Sequence, residues 1–229
     1  MPAGAVAVGV SAASGAPAPR ALIAPAQALL DEQRDALVRL HALSGSSATQ
    51  FEAVYQPLAL ALAGSVQRLP ATGDGRQTIL AARLRRAEIV LARRRGVLLP
   101  PGAEPERVAR QADLWTYALF SLALLRRLAR AFAPWTVTLW SAEGRPLGVW
   151  RPPAALRGPA QGAGAAAYSA RPNPDPPGAD WTPLVVGALL PAAGLNWLWR
   201  EPDVLRAWLR ALVAELPAEL APLFADPSS

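Results

Sequence analysis

The sequence predicts a mainly α fold that carries one small β-hairpin. Apolar residues recur at helical spacing through most of the stretch from 25 to 132. The period changes between 135 and 150, where β-branched and aromatic residues flank a Glu143-Gly144 turn. Hydrophobic residues make up 52% of the chain, which is enough to form a sizeable core.

The chain length of 229 residues suits one domain with irregular ends. We expect a disordered Ala/Gly/Pro-rich tail over 1–21, a helical domain over 22–216 with a Pro/Gly-rich loop at about 152–180, and a C-terminal tail over 217–229. The first tail lacks the positively charged start of a signal peptide. The apolar run Leu114 to Leu125 is too short to cross a bilayer. A cytoplasmic protein without a membrane span is expected.

Two helices are predicted before residue 70. The first runs from Pro25 to Leu43, with leucines on one face and charged residues on the other. The second begins after a cap at Ser47 or Thr49 and runs to about Arg68. Pro57 should kink this second helix, because proline cannot donate a backbone hydrogen bond.

Two further helices follow before the hairpin. Asp74 is the predicted cap of a helix from about Arg76 to Arg95, which Gly96 ends. The next helix starts at Pro105, a residue common in first turns, and continues to Phe132.

The hairpin strands are predicted at Trp135–Trp140 and Leu147–Trp150. After the long loop, apolar periodicity predicts two more helices, from Trp181 to Trp199 and from Asp203 to Leu216.

The charge balance is basic, with a formal net charge of +6 and a sequence pI of about 11.0. All 23 basic residues are arginine, whose planar fork suits phosphate oxygens. This balance favours polyanionic partners such as nucleic acid or anionic lipid, although a basic solvated surface gives the same numbers. Cysteine is absent, which excludes disulfides and thiolate metal sites.

Several short segments stand in an order and spacing typical of one known family. They are Ala26-Gln27-Ala28-Leu29-Leu30, Val66-Gln67-Arg68-Leu69-Pro70-Ala71-Thr72, Gln77 to Ala87, Ala123 to Arg130, the hairpin from Val137 to Trp150, Leu190-Pro191, Gly194-Leu195 and Trp197-Leu198. With these segments the chain resembles the N-terminal TraI/MobH-type relaxase domain of integrative conjugative elements over about residues 22 to 215. The resemblance implies an HD-like helical bundle with a small β-hairpin insertion, and a role in DNA processing during conjugation.

The chain departs from the family at its metal ligands. The family has a Gly-Gly-Leu-Leu-x-His motif and later the His-Asp pair that names the HD superfamily. Ala82 stands at that first histidine position, and Arg126 and Arg127 stand at the His-Asp positions. An HD site needs several imidazoles and carboxylates around one or two cations. The single histidine, His41, is expected to be structural. We therefore predict a degenerate copy with no metal, no cofactor and no catalytic residue.

Two interpretations of Arg126 and Arg127 remain open. If the pair faces the old metal pocket, both guanidiniums could hold phosphate oxygens through bidentate hydrogen bonds. In the preferred interpretation the helix is turned slightly, so that both side chains reach solvent.

Other catalytic systems have no support in the sequence. A Ser-His-Asp arrangement would have to recruit His41, and no nucleophile-elbow pattern accompanies it. A Gly-x4-Gly-Lys phosphate loop is absent, as is a clustered-histidine nickase motif with a catalytic tyrosine. Trp135, Trp140 and Trp150 are expected to pack the hairpin onto the helices rather than to stack on bases.

The favoured function is a non-catalytic relaxase-like accessory protein of a conjugative or integrative element. Its expected partners are DNA, single-stranded or duplex without sequence preference, and proteins of the conjugation machinery. The predicted DNA/phosphate-binding surface comprises Arg83, Arg86, Arg93, Arg94, Arg126, Arg127 and Arg130. The alternatives are a protein-interaction or structural module without nucleic-acid contact, and an enzyme with an unrecognised site.

Overall fold

A helical bundle flanked by one antiparallel sheet forms the architecture of the computed structural model, which describes residues 18–73, 75–150, 158–159, 164–213 and 215–225. The predicted fold class, mainly α with a small β insertion, is confirmed.

The first predicted helix forms as two, α1 (Ala26–Asp31) and α2 (Arg34–Ser44). Gly45 ends α2 in the left-handed conformation with φ 67°. The Ser47 side chain then accepts a hydrogen bond from Gln50 N and caps α3 (Ala48–Gln50), as predicted.

The predicted kink at Pro57 takes the form of a π-helical turn, Phe51–Tyr55, directly before α4 (Gln56–Val66). Gln56 N donates to Phe51 O across five residues. The wider turn lies just before Pro57, whose backbone nitrogen carries no hydrogen and cannot donate a helical hydrogen bond.

Helix α5 (Ile79–Arg94) begins at Thr78, whose side chain accepts from Ala81 N; the predicted cap, Asp74, lies outside the described residues. The helix predicted from Pro105 to Phe132 is wrong in one respect, because it breaks into α6 (Pro105–Leu125) and α7 (Leu128–Phe132). The break falls at Arg126 and Arg127, the two residues that the resemblance matched to a His-Asp pair.

The sheet is larger than the predicted hairpin. Its strands are β1 (Arg20–Leu22), β2 (Trp135–Trp140), β3 (Pro146–Trp150) and β4 (Ala167–Pro172), in the antiparallel order β1-β4-β2-β3. The predicted pair β2–β3 is present, with Val137 opposite Trp150. Strand β4 lies in the segment expected to be a loop, and β1 begins inside the expected tail. Both strands are short and poor in β-branched residues, so the pattern gave no signal for them.

The helix predicted over 181–199 forms as α8 (Thr182–Leu189) and α9 (Ala192–Trp199), bent by 106° before Ala192 because Pro191 interrupts the backbone hydrogen bonds. Helices α10 (Pro202–Val213) and α11 (Ala221–Phe224) follow. Within the described residues no single helix is both long and apolar enough to cross a membrane, although the bent pair α8–α9 together meets the length and composition test.

Helix α6 is the centre of the core. Every residue from Tyr117 to Leu125 is buried, and α6 packs against α5 on one side and α10 on another. The Trp208 indole of α10 donates to the buried Ser121 hydroxyl at 2.9 Å, which fixes these two helices against each other. The C-terminal end of α6 therefore meets α5 and α10 at one place.

Candidate anion-binding site

The site is built where α6 ends. Arg126 leaves the helix with φ −58° and ψ 128°, and Arg127 follows in the left-handed conformation with φ 54° and ψ 33°. Leu128 then begins α7. The two residues form a turn whose carbonyl groups face α5.

Arg83 of α5 holds this turn. Its Nη1 donates to the carbonyl oxygen of Arg126 at 2.7 Å, and its Nη2 donates to that of Arg127 at 3.2 Å. A cation is favoured at the Arg126 carbonyl, because the last carbonyls of a helix carry partial negative charge and lack partners within the helix. The second prong of the guanidinium fork reaches the Arg127 carbonyl beyond the helix, which also accepts from Arg130 N at 3.1 Å.

Arg126 is directed into the protein. Its side chain is 6% exposed, and its Nε donates to Ala211 O of α10 at 2.8 Å. The expectation that both arginines reach solvent is therefore wrong for Arg126. The helix ends at this point instead of turning, and the extended backbone of Arg126 aims the side chain at α10. Arg127 is exposed, as expected.

Five arginines act on one another electrostatically, and we call them the arginine cluster. Its members are Arg83, Arg86, Arg126, Arg127 and Arg130. Burial, followed by repulsion from Arg86 and Arg126, lowers the pKa of Arg83 to about 10. Burial, followed by repulsion from Arg127, Arg86 and Arg130, lowers the pKa of Arg126 in the same way, although Asp180 partly offsets the effect.

Asp180 brings an opposing charge to the edge of the cluster. Its carboxylate lies 3.9 Å from Nε of Arg130, and both side chains are partly solvated. An exposed ion pair of this length contributes little.

A groove of about 320 Å3 adjoins the cluster between α5 and α11. Ala82, Arg85 and Arg86 line one wall. Phe224 lines the other, with the guanidinium carbon of Arg86 5.5 Å from the centre of its ring. Arg85 is exposed, and sequence reasoning left it out of the surface.

The structure does not bring Arg93 and Arg94 into the cluster. Arg93 Nη1 donates to the carbonyl oxygens of Pro222 at 3.4 Å and Leu223 at 3.2 Å, and also to that of Ala225, so it fastens α11 onto α5. Arg94 donates to the carbonyl oxygen of Val97, and burial lowers its pKa. The seven predicted arginines thus divide into five that interact and two that hold other parts of the backbone.

The residues that the resemblance matched to metal ligands do not fit a metal. A divalent cation needs converging imidazole or carboxylate ligands, whereas Ala82, Arg126 and Arg127 supply a methyl group and two cations. In the part of the chain that the structure describes, no three acidic or histidine side chains are grouped to hold an ion. His41 lies elsewhere, with Nε2 3.0 Å from Ser46 O and its ring against Phe51.

Most tryptophans of the hairpin serve packing. Trp150 is buried against Phe132, and the Arg20 guanidinium lies 3.7 Å above the Trp140 ring. Trp135 is half-buried. Trp199, on α9, is the contrasting case at 65% exposed.

A protein-family model matches most of the chain. The model of the TraI_2 family, described as "Putative helicase", matches residues 20–221. The chain belongs to this family, so the resemblance to a TraI-type domain is confirmed. No curated protein matches the chain. The family is described as a putative helicase, but this sequence contains no ATP-binding motif of a helicase motor. It lacks a Gly-x4-Gly-Lys loop and has no lysine at all.

Proposed function

We propose that this chain is a non-catalytic, relaxase-like accessory protein of a conjugative or integrative element, which binds DNA phosphates at the arginine cluster. The observation that carries the proposal is that Arg83 and Arg86 of α5 lie close to Arg126, Arg127 and Arg130 around the end of α6, with Arg127 and Arg130 exposed. A phosphate backbone releases counterions when it binds such a group of cations. The proposal also assigns the protein to the cytoplasm, beside proteins of the transfer machinery.

The members of the cluster have different roles in this proposal. Arg127 and Arg130 are exposed and supply the contacts to phosphate, and Arg86 and the neighbouring Arg85 extend the surface along α5. The guanidiniums of Arg83 and Arg126 donate hydrogen bonds to backbone carbonyls. Their charges make the electrostatic potential around the cluster more positive. Binding should show little sequence preference, because guanidinium–phosphate contacts do not read base edges.

Fluorescence anisotropy with a labelled single strand and a labelled duplex tests the proposal. Three or four phosphate contacts predict a plot of log K against log salt with a slope of roughly −2 to −4. Replacing Arg127 and Arg130 together by Ala should lower the affinity for every sequence and make the slope shallower by roughly one to two.

The matched control replaces Arg34 and Arg200 by Ala, because both are exposed arginines outside the cluster and the charge change is the same. Equal losses in the two double variants would mean that net charge alone drives binding, and would overturn the assignment of the site. If the wild-type protein binds neither strand nor duplex at low salt, the DNA proposal is wrong and the protein-interaction alternative replaces it.

The non-catalytic part of the proposal has its own test. Purified protein should turn over neither ATP nor nucleoside monophosphates, because the family's ligand positions hold Ala82, Arg126 and Arg127. Turnover that a point substitution in this chain abolishes would contradict it.

A further inference from the structure

Arg127 has an unusual backbone conformation for its residue type. Among the described residues only Gln67 and Arg127 combine a side chain with a positive φ. The left-handed region is costly for a residue with a Cβ, and glycine or asparagine would occupy it more easily. Strain of this kind persists where the surrounding structure enforces it, and it is frequent at ligand sites.

Three elements enforce the turn at Arg127. From α5, the fork of Arg83 holds the carbonyls of Arg126 and Arg127. From α8, the buried Thr182 hydroxyl accepts a hydrogen bond from Ala129 N at 3.0 Å. From α10, Ala211 O holds the Arg126 side chain. The backbone beneath Arg127 is therefore fixed on three sides.

The side chain of Arg127 receives no compensation for this strain. It is exposed and, in the described part of the chain, has neither a hydrogen-bond acceptor nor an acidic partner. Arg127 thus keeps a strained backbone conformation beside other cations and has no partner for its side chain within the described residues. A contact with a molecule outside the protein would explain why this conformation is kept.

We propose that Arg127 is the principal phosphate-contacting residue of the arginine cluster and that Arg83 is its positioning residue. This inference rests on the proposed DNA-binding function. Arg83 acts through the two carbonyls that it holds, and a preformed turn lowers the ordering cost of each phosphate contact. Thr182 of α8 supports the segment just after the turn, because its hydroxyl accepts from Ala129 N.

Substitutions that separate charge from geometry test the inference in the full chain. Arg83→Lys keeps the charge but loses the two-pronged donor. It should lower the affinity for a labelled single strand roughly threefold to tenfold and make the salt slope shallower by about one, as though a contact had been removed. A purely structural role for Arg83 would leave the slope unchanged at a temperature where the variant is folded.

Arg127→Gly is the complementary variant. Glycine suits the left-handed turn, so the melting temperature should hold or rise while the affinity falls by the same roughly threefold to tenfold. The double variant Arg83→Lys/Arg127→Gly should bind no more weakly than either single variant, because both remove one contact. Thr182→Val, which leaves the charge unchanged, should also weaken binding and serves if Arg83→Lys does not fold.

The outcomes distinguish the two proposals. If the wild-type protein does not bind DNA, the proposed function itself is contradicted. If the wild type binds, the positioning role is overturned when Arg83→Lys and Thr182→Val leave affinity and salt slope unchanged, or when the losses in the double variant multiply. If Arg127→Gly binds as well as the wild type, Arg127 is not the contact residue.

Discussion

The phenol of Tyr117 occupies the space that a side chain at residue 194 would need. A Cβ built on Gly194 would lie 1.7 Å from Tyr117 Oη, so α9 approaches α6 as closely as a glycine permits. The Tyr117 ring stacks on Trp197 of α9 at 5.6 Å and meets Tyr55 edge-on at 5.3 Å. This aromatic group joins α9 to the centre of the core.

Gly194→Ala should therefore destabilise the protein by about 1–3 kcal/mol, the usual cost of overpacking a dense core. Chemical denaturation measures the change. The matched control is Gly187→Ala on α8, where a Cβ meets no atom within 4 Å. That substitution should stabilise by up to about 1 kcal/mol, since alanine is the better helix former. Equal effects at the two positions would contradict the close approach of α9 to α6.

Stability should fall at alkaline pH because of buried phenols. Burial raises the pKa of Tyr117 well above the usual value of about 10. A group whose folded pKa is raised contributes stability that is complete below the unfolded value and is lost as pH rises above about 10. Tyr117→Phe should flatten the decline between about pH 9 and 11, measured by urea denaturation at several pH values. An unchanged decline in this variant would show that Tyr117 is not its source.

Gln67 ties the beginning of the described chain to α4. Its buried amide accepts from Ala24 N at 2.9 Å and donates to the oxygens of Ala24 and Gly64, each at 3.1 Å. Gln67→Ala leaves several backbone groups without partners, so it should cost about 2–4 kcal/mol in the free energy of unfolding. Gln77→Ala, at an exposed position, should change it by less than about 0.5 kcal/mol. A small effect at Gln67 would mean that water replaces the amide.

Metal ions should neither bind nor stabilise the protein. A ligand at a hundred times its Kd stabilises the folded state by about 2.7 kcal/mol. Addition of Mn2+ or Zn2+, or of a chelator, should leave the melting temperature unchanged, because no three acidic or histidine side chains of the described residues are grouped to hold an ion. Elemental analysis that finds a stoichiometric transition metal in the purified protein would contradict this prediction.

Periodicity identified the long helices and the hairpin, but it did not locate their interruptions. The break at Arg126 and Arg127 was invisible, because leucines continue at helical spacing through Leu128 and neither arginine favours ending a helix. Tertiary hydrogen bonds from Arg83 and to Ala211 set that break. Strand β4 was missed because its pairing with β2 on one side and β1 on the other, rather than its residue types, makes it a strand.

The candidate site was predictable in part. Motif spacing drew attention to Arg126 and Arg127, and helix periodicity put Arg83 and Arg86 on a shared face. Sequence alone could not show that Arg93 fastens α11, since the carbonyls that it bonds lie far along the chain. The left-handed conformation of Arg127 had no sequence signal, because such residues are usually glycine or asparagine.

The pairing of β1 with β4 has a consequence for how the chain folds during synthesis. Arg20 of β1 pairs with Ser169 of β4, so the first of the described strands to be synthesised must wait for the last of them. Helices α1 to α5 make most of their contacts with one another and with α6, and they can begin to form while translation continues. Closure of the sheet by β1 should therefore be a late event, and its rate should depend on the large sequence separation of the two strands. Until β1 has paired, the backbone N–H and C=O groups along that edge of β4 lack partners. Other strands could pair with this edge in the nascent chain, so mispairing is expected there.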